Sequence, residues 1–169
     1  MRALVVCLIA VAAWSATSHA QQASASIDVP AGARVVLQAK GDGVQIYTCT
    51  AAQDGPKWVL KAPDAKLLDE AGKTIGSHFA GPTWKLDDGS QVQGELMASQ
   101  PASEAGSVAW LLLRAKAGTA TGALADVAFI RRTETHGGVA EKSGCKGAGD
   151  VGNSVRVPYS ATYTFYAAQ

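Results

Sequence analysis

Cysteine and histidine are scarce, three of each in 169 residues. That excludes a disulfide-dense scaffold and leaves few side chains for a transition-metal site. Long hydrophobic runs are missing too. Spanning a bilayer takes about 20 apolar residues, and the longest run, Ala3–Trp14, stops short of that. Charge is sparse and balanced, with 15 Lys and Arg against 14 Asp and Glu and no run of one sign. A nucleic-acid partner needs a basic stripe and a polybasic membrane binder a basic cluster, so neither class fits. The usual catalytic signatures are absent: no G-x-S-x-G elbow, P-loop, H-x-H, H-E-x-x-H or EF-hand loop. Nor is there an internal repeat, a heptad or a sustained helical period.

What is present begins with an export signal. Met1-Arg2 is a short basic start, Ala3–Trp14 an apolar h-region, and Ser18-His19-Ala20 a small-x-small cleavage site. Residues 1–20 are therefore expected to be a signal peptide, with a mature chain starting at Gln21 in the periplasm or outside the cell. Arg2 leaves with the leader, so 15 basic residues become 14, equal to the 14 acidic ones, and the mature formal charge is zero. Residues 21–29 read as a flexible leader, and 30–169 as one domain of common size. Cys7 lies inside the h-region, so Cys49 and Cys145 are the two cysteines that remain. In an oxidising compartment they most simply form one disulfide; the alternative is two unpaired buried thiols. A disulfide would close a loop of roughly 97 residues, on the order of 4 to 5 kcal/mol in the chain-entropy account.

Past Pro30, turn residues recur every 8 to 12 positions or so between short β-branched and aromatic runs, the rhythm of an all-β chain. "ARVVLQA" (33–39) runs into "KGDG", read as a hairpin turn, and "VQIYTCT" (44–50) follows as a second strand. "SVAWLLLRAKA" (107–117) reads as a strand buried on both faces. In "VRVPYSATYTFY", Val155, Val157, Tyr159, Ala161, Tyr163 and Phe165 share one face, a period of two that no amphipathic helix reproduces. Pro158 marks an edge or a bulge near the start of that strand. The expected fold is a single all-β domain, an antiparallel β-sandwich or flattened barrel of about 8–11 short strands with little helix.

The densest stretch of polar and aromatic residues is "GSHFAGPTWKLDDGSQVQGE" (76–95). Turn chemistry explains most of it. "AGP" bends the chain, "TWKL" is a strand, and "DDGS" is a hairpin loop with Asp87 at the turn start and Gly89 at the positive-φ position. Trp84 then belongs to the pleat and faces the core or a groove. The residues left over as a candidate ligand surface are His78, Trp84 and Asp87, joined by Tyr47, Arg131 and His136. Tyr47 and Tyr166, read as exposed-face residues, could stack on a sugar ring, and Arg131-Arg132 could meet an anion. His78, His136 and an aspartate could together hold a metal, although their spacing follows no known ligand pattern.

"GVQIYTC", "HFAGPTWKLDDGS", "WLLLRAK", "FIRRTETHGG" with a cysteine after it, and "VPYSATYTFY" stand here in the same order as in a family of exported bacterial and fungal proteins. The chain resembles that family, a domain of unknown function (DUF3455), from about Pro30 to Tyr166. The resemblance implies a secreted single domain and the pairing of Cys49 with Cys145. Some fungal members carry the label malate dehydrogenase. A nicotinamide enzyme of that kind needs a strand, a G-x-G-x-x-G turn and a helix. "GDGVQIY" runs straight into a strand instead, and the chain is too short for two such domains, so an NAD-dependent dehydrogenase is rejected.

The function expected from these residues is a non-enzymatic exported binding or envelope-associated module. It would recognise a small molecule, a glycan or an envelope component, with no cofactor and no transmembrane segment. The alternative is a small secreted enzyme with a metal-assisted site at His78 and His136. No residue stands out as catalytic.

Overall fold

Strict alternation over the last fourteen-residue strand dictates which side chains turn inward, and the rest of the chain is built to meet them. The computed structural model describes residues 26–169; the expected signal peptide, its cleavage site and residues 21–25 of the leader lie outside the described residues. Eight strands follow one another: β1 (Arg34–Thr50), β2 (Lys57–Leu68), β3 (Thr74–Phe79), β4 (Thr83–Leu86), β5 (Gln91–Gln100), β6 (Trp110–Gly118), β7 (Val127–Gly137) and β8 (Ser154–Ala167). Each pairs antiparallel with the next, and β8 returns to pair with β1, so the sheet closes into a barrel. Between the sandwich and the barrel the structure selects the barrel. A single 3₁₀ turn at Ala148–Asp150 is the one helical element among the described residues.

The interior is filled by alternate residues of every strand. Leu67, Trp84, Val92, Leu113, Ile130 and Phe165 are among those buried in one core cluster, together with Tyr159, Ala161 and Tyr163 of β8. Lys40, Asp42, Lys66, Lys85, Arg114 and Lys116 alternate with them and stand exposed on the outer wall. A barrel that crosses a membrane has the reverse arrangement, apolar outside and polar inside; this wall faces water.

Two expectations need correcting. The "KGDG" segment is not a hairpin, because β1 runs unbroken from Arg34 to Thr50. Gly41 is there for close approach. A Cβ built on it would stand 2.5 Å from Cε2 of the buried Tyr163 ring, so the barrel's widest side chains fit only against a bare backbone. The end of the leader is not loose either. Ile27 is buried with Ala98 and Leu112, and Val29 packs on the same cluster, covering an apolar patch on the outside of β6. Leu112 and Leu113 thus bury on opposite faces, but Arg114 and Lys116 are exposed, so the strand expected over 107–117 is buried on both faces only in its first half. Pro158 lies one residue beyond the end of the β7–β8 ladder, whose last pair is Gly137–Tyr159, while still pairing with Val44 of β1.

The Cys49–Cys145 disulfide is formed, with a Cα–Cα distance of 5.5 Å and both residues buried. It ties the loop between β7 and β8 to the end of β1. Cys49 N–H donates to Asn153 O and Cys49 O accepts from Gly152 N–H, so the loop is also held by backbone bonds. Trp58 Nε1 donates to Ser143 O on the same loop.

Candidate functional site

The barrel interior changes character along its axis. Where β1 starts and β8 ends, it is closed by Leu67, Leu86, Val92, Ile130 and Phe165. Where β1 ends and β8 starts, the inward positions are Gln45, His78, Arg132, Tyr159 and Tyr163. Strand pairing puts them there: His78 opposes Trp84 across β3–β4, and Arg132 opposes Tyr163 across β7–β8. At this end lies a cavity of about 260 Å³ whose polar lining is Gln45, His78, Arg132 and, at the rim, Lys61. Its apolar lining includes Leu60, Pro82 and Leu111. An eight-stranded barrel has room inside for packed side chains or for one small ligand.

His78 is 2% exposed and its ring stacks on Trp84 at a centroid distance of 4.5 Å and 7° between planes. Tyr163 stands edge-on to both rings, at 5.0 Å and 5.4 Å. Nδ1 of His78 lies 2.8 Å from the Thr83 carbonyl, which can only accept, so Nδ1 carries the proton. Nε2 is therefore a lone-pair acceptor, and it takes no part in the Thr83 bond. Burial lowers the pKa of His78 to about 4, with the Arg132 charge pushing the same way and the Thr83 hydrogen bond opposing. At neutral pH the imidazole is uncharged.

Gln45 is 1% exposed, and its Oε1 is buried without a hydrogen-bond partner among the described residues. Trp84 Nε1 is a second buried orphan in the same interior. Orphans of this kind are uncommon in folded proteins and mark a place where water or a ligand completes the bonding. Arg132 donates from Nε and Nη2 to Ala109 O at 3.0 and 2.7 Å, which orients the guanidinium without neutralising it. The ion pairs formed among the described residues use Arg114, His136 and Arg156, and none uses Arg132. Tyr159 and Tyr163 share a hydroxyl–hydroxyl bond of 3.2 Å, and burial raises the pKa of each.

Of the residues singled out in the sequence, the structure brings together His78 and Trp84. The others go elsewhere. Tyr47 is half-buried, and its hydroxyl donates to Gly138 O at 2.7 Å, securing the disulfide loop rather than offering an open platform. Tyr166 is buried, not on an exposed face. Arg131 points outward, its guanidinium 5.8 Å from the Tyr166 ring, in a surface cleft of about 730 Å³ beside Asp69 and Glu70. Asp87 is exposed at the β4–β5 turn, where Gly89 has the expected positive φ of 86°. Its neighbour Asp88 does the bonding there, accepting from Ser90 N–H, Ser90 Oγ–H and Ala123 N–H. His136 is exposed and pairs with Glu104 at 2.6 Å. Among the described residues no group of three or more His, Cys, Asp and Glu is placed to hold a metal ion.

Gln45, Tyr159 and Tyr163 were not picked out from the sequence as site residues, and Arg132 was named only with Arg131, as a pair that could meet an anion. Parity was the available signal: Arg132 shares a face with Ile130, and Gln45 with Cys49. The disulfide loop borders this end, since a Cβ on Gly138 would meet Tyr159 at 2.8 Å and Gln45 at 3.2 Å.

Comparison with curated proteins found no match, and comparison with solved structures found none either. One protein family does match, over residues 30–167. That span holds all eight strands and the disulfide, and by it the chain belongs to the family described as "Protein of unknown function (DUF3455)".

Proposed function

We propose that this chain is an exported binding module that takes a small molecule into the polar end of its barrel. The observation that carries the reading is the cavity of about 260 Å³ in which a buried, unpartnered Gln45 Oε1, the Nε2 face of a neutral His78 and an unpaired Arg132 meet. Leaving the buried Gln45 Oε1 unbonded costs on the order of 1–3 kcal/mol. A ligand that bonds to it recovers that cost. The lining contains no Ser, Thr, Cys, Asp or Glu, so it offers no hydroxyl, thiol or carboxylate nucleophile. Export is supported by the disulfide and the water-facing outer wall, and no helix among the described residues is long and apolar enough to cross a membrane.

A fragment screen by ¹H–¹⁵N correlation spectroscopy on the mature protein tests the reading. Hits should shift the side-chain amide of Gln45 and the backbone around His78 and Arg132, and Gln45→Leu should abolish them. Hits confined to the outer cleft at Arg131 would defeat it. The export half is tested by the mass of the secreted protein, expected to begin at Gln21.

A further inference from the structure

The same cavity constrains the chemistry of what it binds. Resting on the reading of this cavity as a binding site, we infer that its ligand is a small monocarboxylate carrying a hydrogen-bond donor on a short apolar body. The charge follows from the lining. Its only charged side chains are Arg132 and Lys61, both cationic, with no acid among them. Arg132 is half-buried and has no carboxylate partner among the described residues. Its bonds to Ala109 O use two of five N–H groups and fix the guanidinium plane, and the Tyr163 hydroxyl draws on a third, leaving two donors for an anion. A planar fork held in this way matches a carboxylate in two-point contact.

The donor follows from the other two polar groups. Gln45 Oε1 and the unprotonated Nε2 of His78 both accept; Oε1 is buried without a partner among the described residues, and Nε2 takes no part in the Thr83 bond that Nδ1 makes. An anion alone cannot satisfy them, because it too only accepts. The ligand must bring at least one O–H or N–H. Leu60, Pro82 and Leu111 provide apolar wall for the remainder. The volume is below the roughly 300–1,000 Å³ of pockets for drug-sized ligands, so the body is short. A phosphate fits less well. Phosphate sites draw on backbone N–H groups at helix N-termini or nests, and this lining presents one guanidinium, a lysine at the rim and apolar wall, with no helix N-terminus.

Calorimetric titration of the mature protein with five probes separates the alternatives: 2-hydroxybutyrate, butyrate, 2-hydroxybutanamide, 1-amino-2-butanol and inorganic phosphate. 2-Hydroxybutyrate should bind tightest. Removing the charge (the amide) or the hydroxyl (butyrate) should each weaken binding about tenfold or more, and the amine should not bind. Arg132→Gln should bring hydroxy acid and amide to equal affinity, while Arg132→Lys keeps a reduced preference for the acid. If Arg132→Gln does not fold, Gln45→Leu gives an independent reading: the gap between 2-hydroxybutyrate and butyrate should shrink. Amide, amine or phosphate binding as tightly as the hydroxy acid would overturn the ligand class and leave the cavity as a binding site. Binding by none of the five would overturn both.

Discussion

Acidification should destabilise this barrel through His78 in a way that one substitution can isolate. In the unfolded chain the imidazole protonates near its ordinary value of 6.5, whereas inside the barrel it does so only near 4. Above 6.5 neither state holds the proton, and His78 contributes no pH dependence. Between 6.5 and 4 the unfolded state binds more protons than the folded one, so stability falls as the pH falls. The slope approaches about 1.4 kcal/mol per pH unit for one proton, and the loss totals roughly 3 kcal/mol by pH 4. Below that both states are protonated and the loss stops growing. The cause is burial of the charged form first and the Arg132 charge second. Urea unfolding followed by tryptophan fluorescence reports it directly, since Trp84 stacks on His78. His78→Gln keeps an amide able to donate to Thr83 O and cannot be protonated. On going from about pH 7 to about pH 4 the wild type should lose roughly 3 kcal/mol more than this variant. Asp88 and Asp150, whose pKa values are lowered by hydrogen bonds, lose stability over the acid range in both proteins and cancel in the difference. A stability gap between the two proteins that does not change with pH would refute the reasoning.

Three further outcomes follow from the packing and the loop bonds. Gly41→Ala drives a methyl into the Tyr163 ring and should cost about 1–3 kcal/mol, read as a lower thermal midpoint by circular dichroism. Cys145→Ser should cost about 2–5 kcal/mol and match the reduced wild type, with the disulfide loop gaining amide exchange; free thiols found by alkylating the unreduced, natively exported protein would contradict this. Asp88→Ala should lower the melting temperature because three donors lose their acceptor, while Asp87→Ala should leave it unchanged.

Much of the fold was legible along the chain. Period-two alternation is a local property of a strand, so Tyr159, Ala161, Tyr163 and Phe165 could be assigned to one face without knowing the partner strands. Turn residues act within four positions, and so "DDGS" and its Gly89 could be read in isolation. The cysteine pair was legible by counting. Gly41 of "KGDG" reads as a turn residue because a turn glycine and a packing glycine look alike in sequence; the difference is the Tyr163 ring, more than a hundred residues away.

The candidate site was legible only in part, at His78, Trp84 and the Arg131-Arg132 pair. Arg131 and Arg132 are adjacent and chemically identical, and only the β7–β8 register decides which enters the barrel. Gln45 is an ordinary strand glutamine until closure of β1 on β8 seals it inside. The sequence by itself determined strand alternation, turn positions, the cysteine pair and the apolar composition of one face, because those depend on each residue and its neighbours. Closure, the inward parity of Arg132 over Arg131, and the gathering of Gln45, His78 and Arg132 at one end were decided by the tertiary structure. They depend on pairing strands distant in sequence, where a slip of one residue would turn every side chain to the other face.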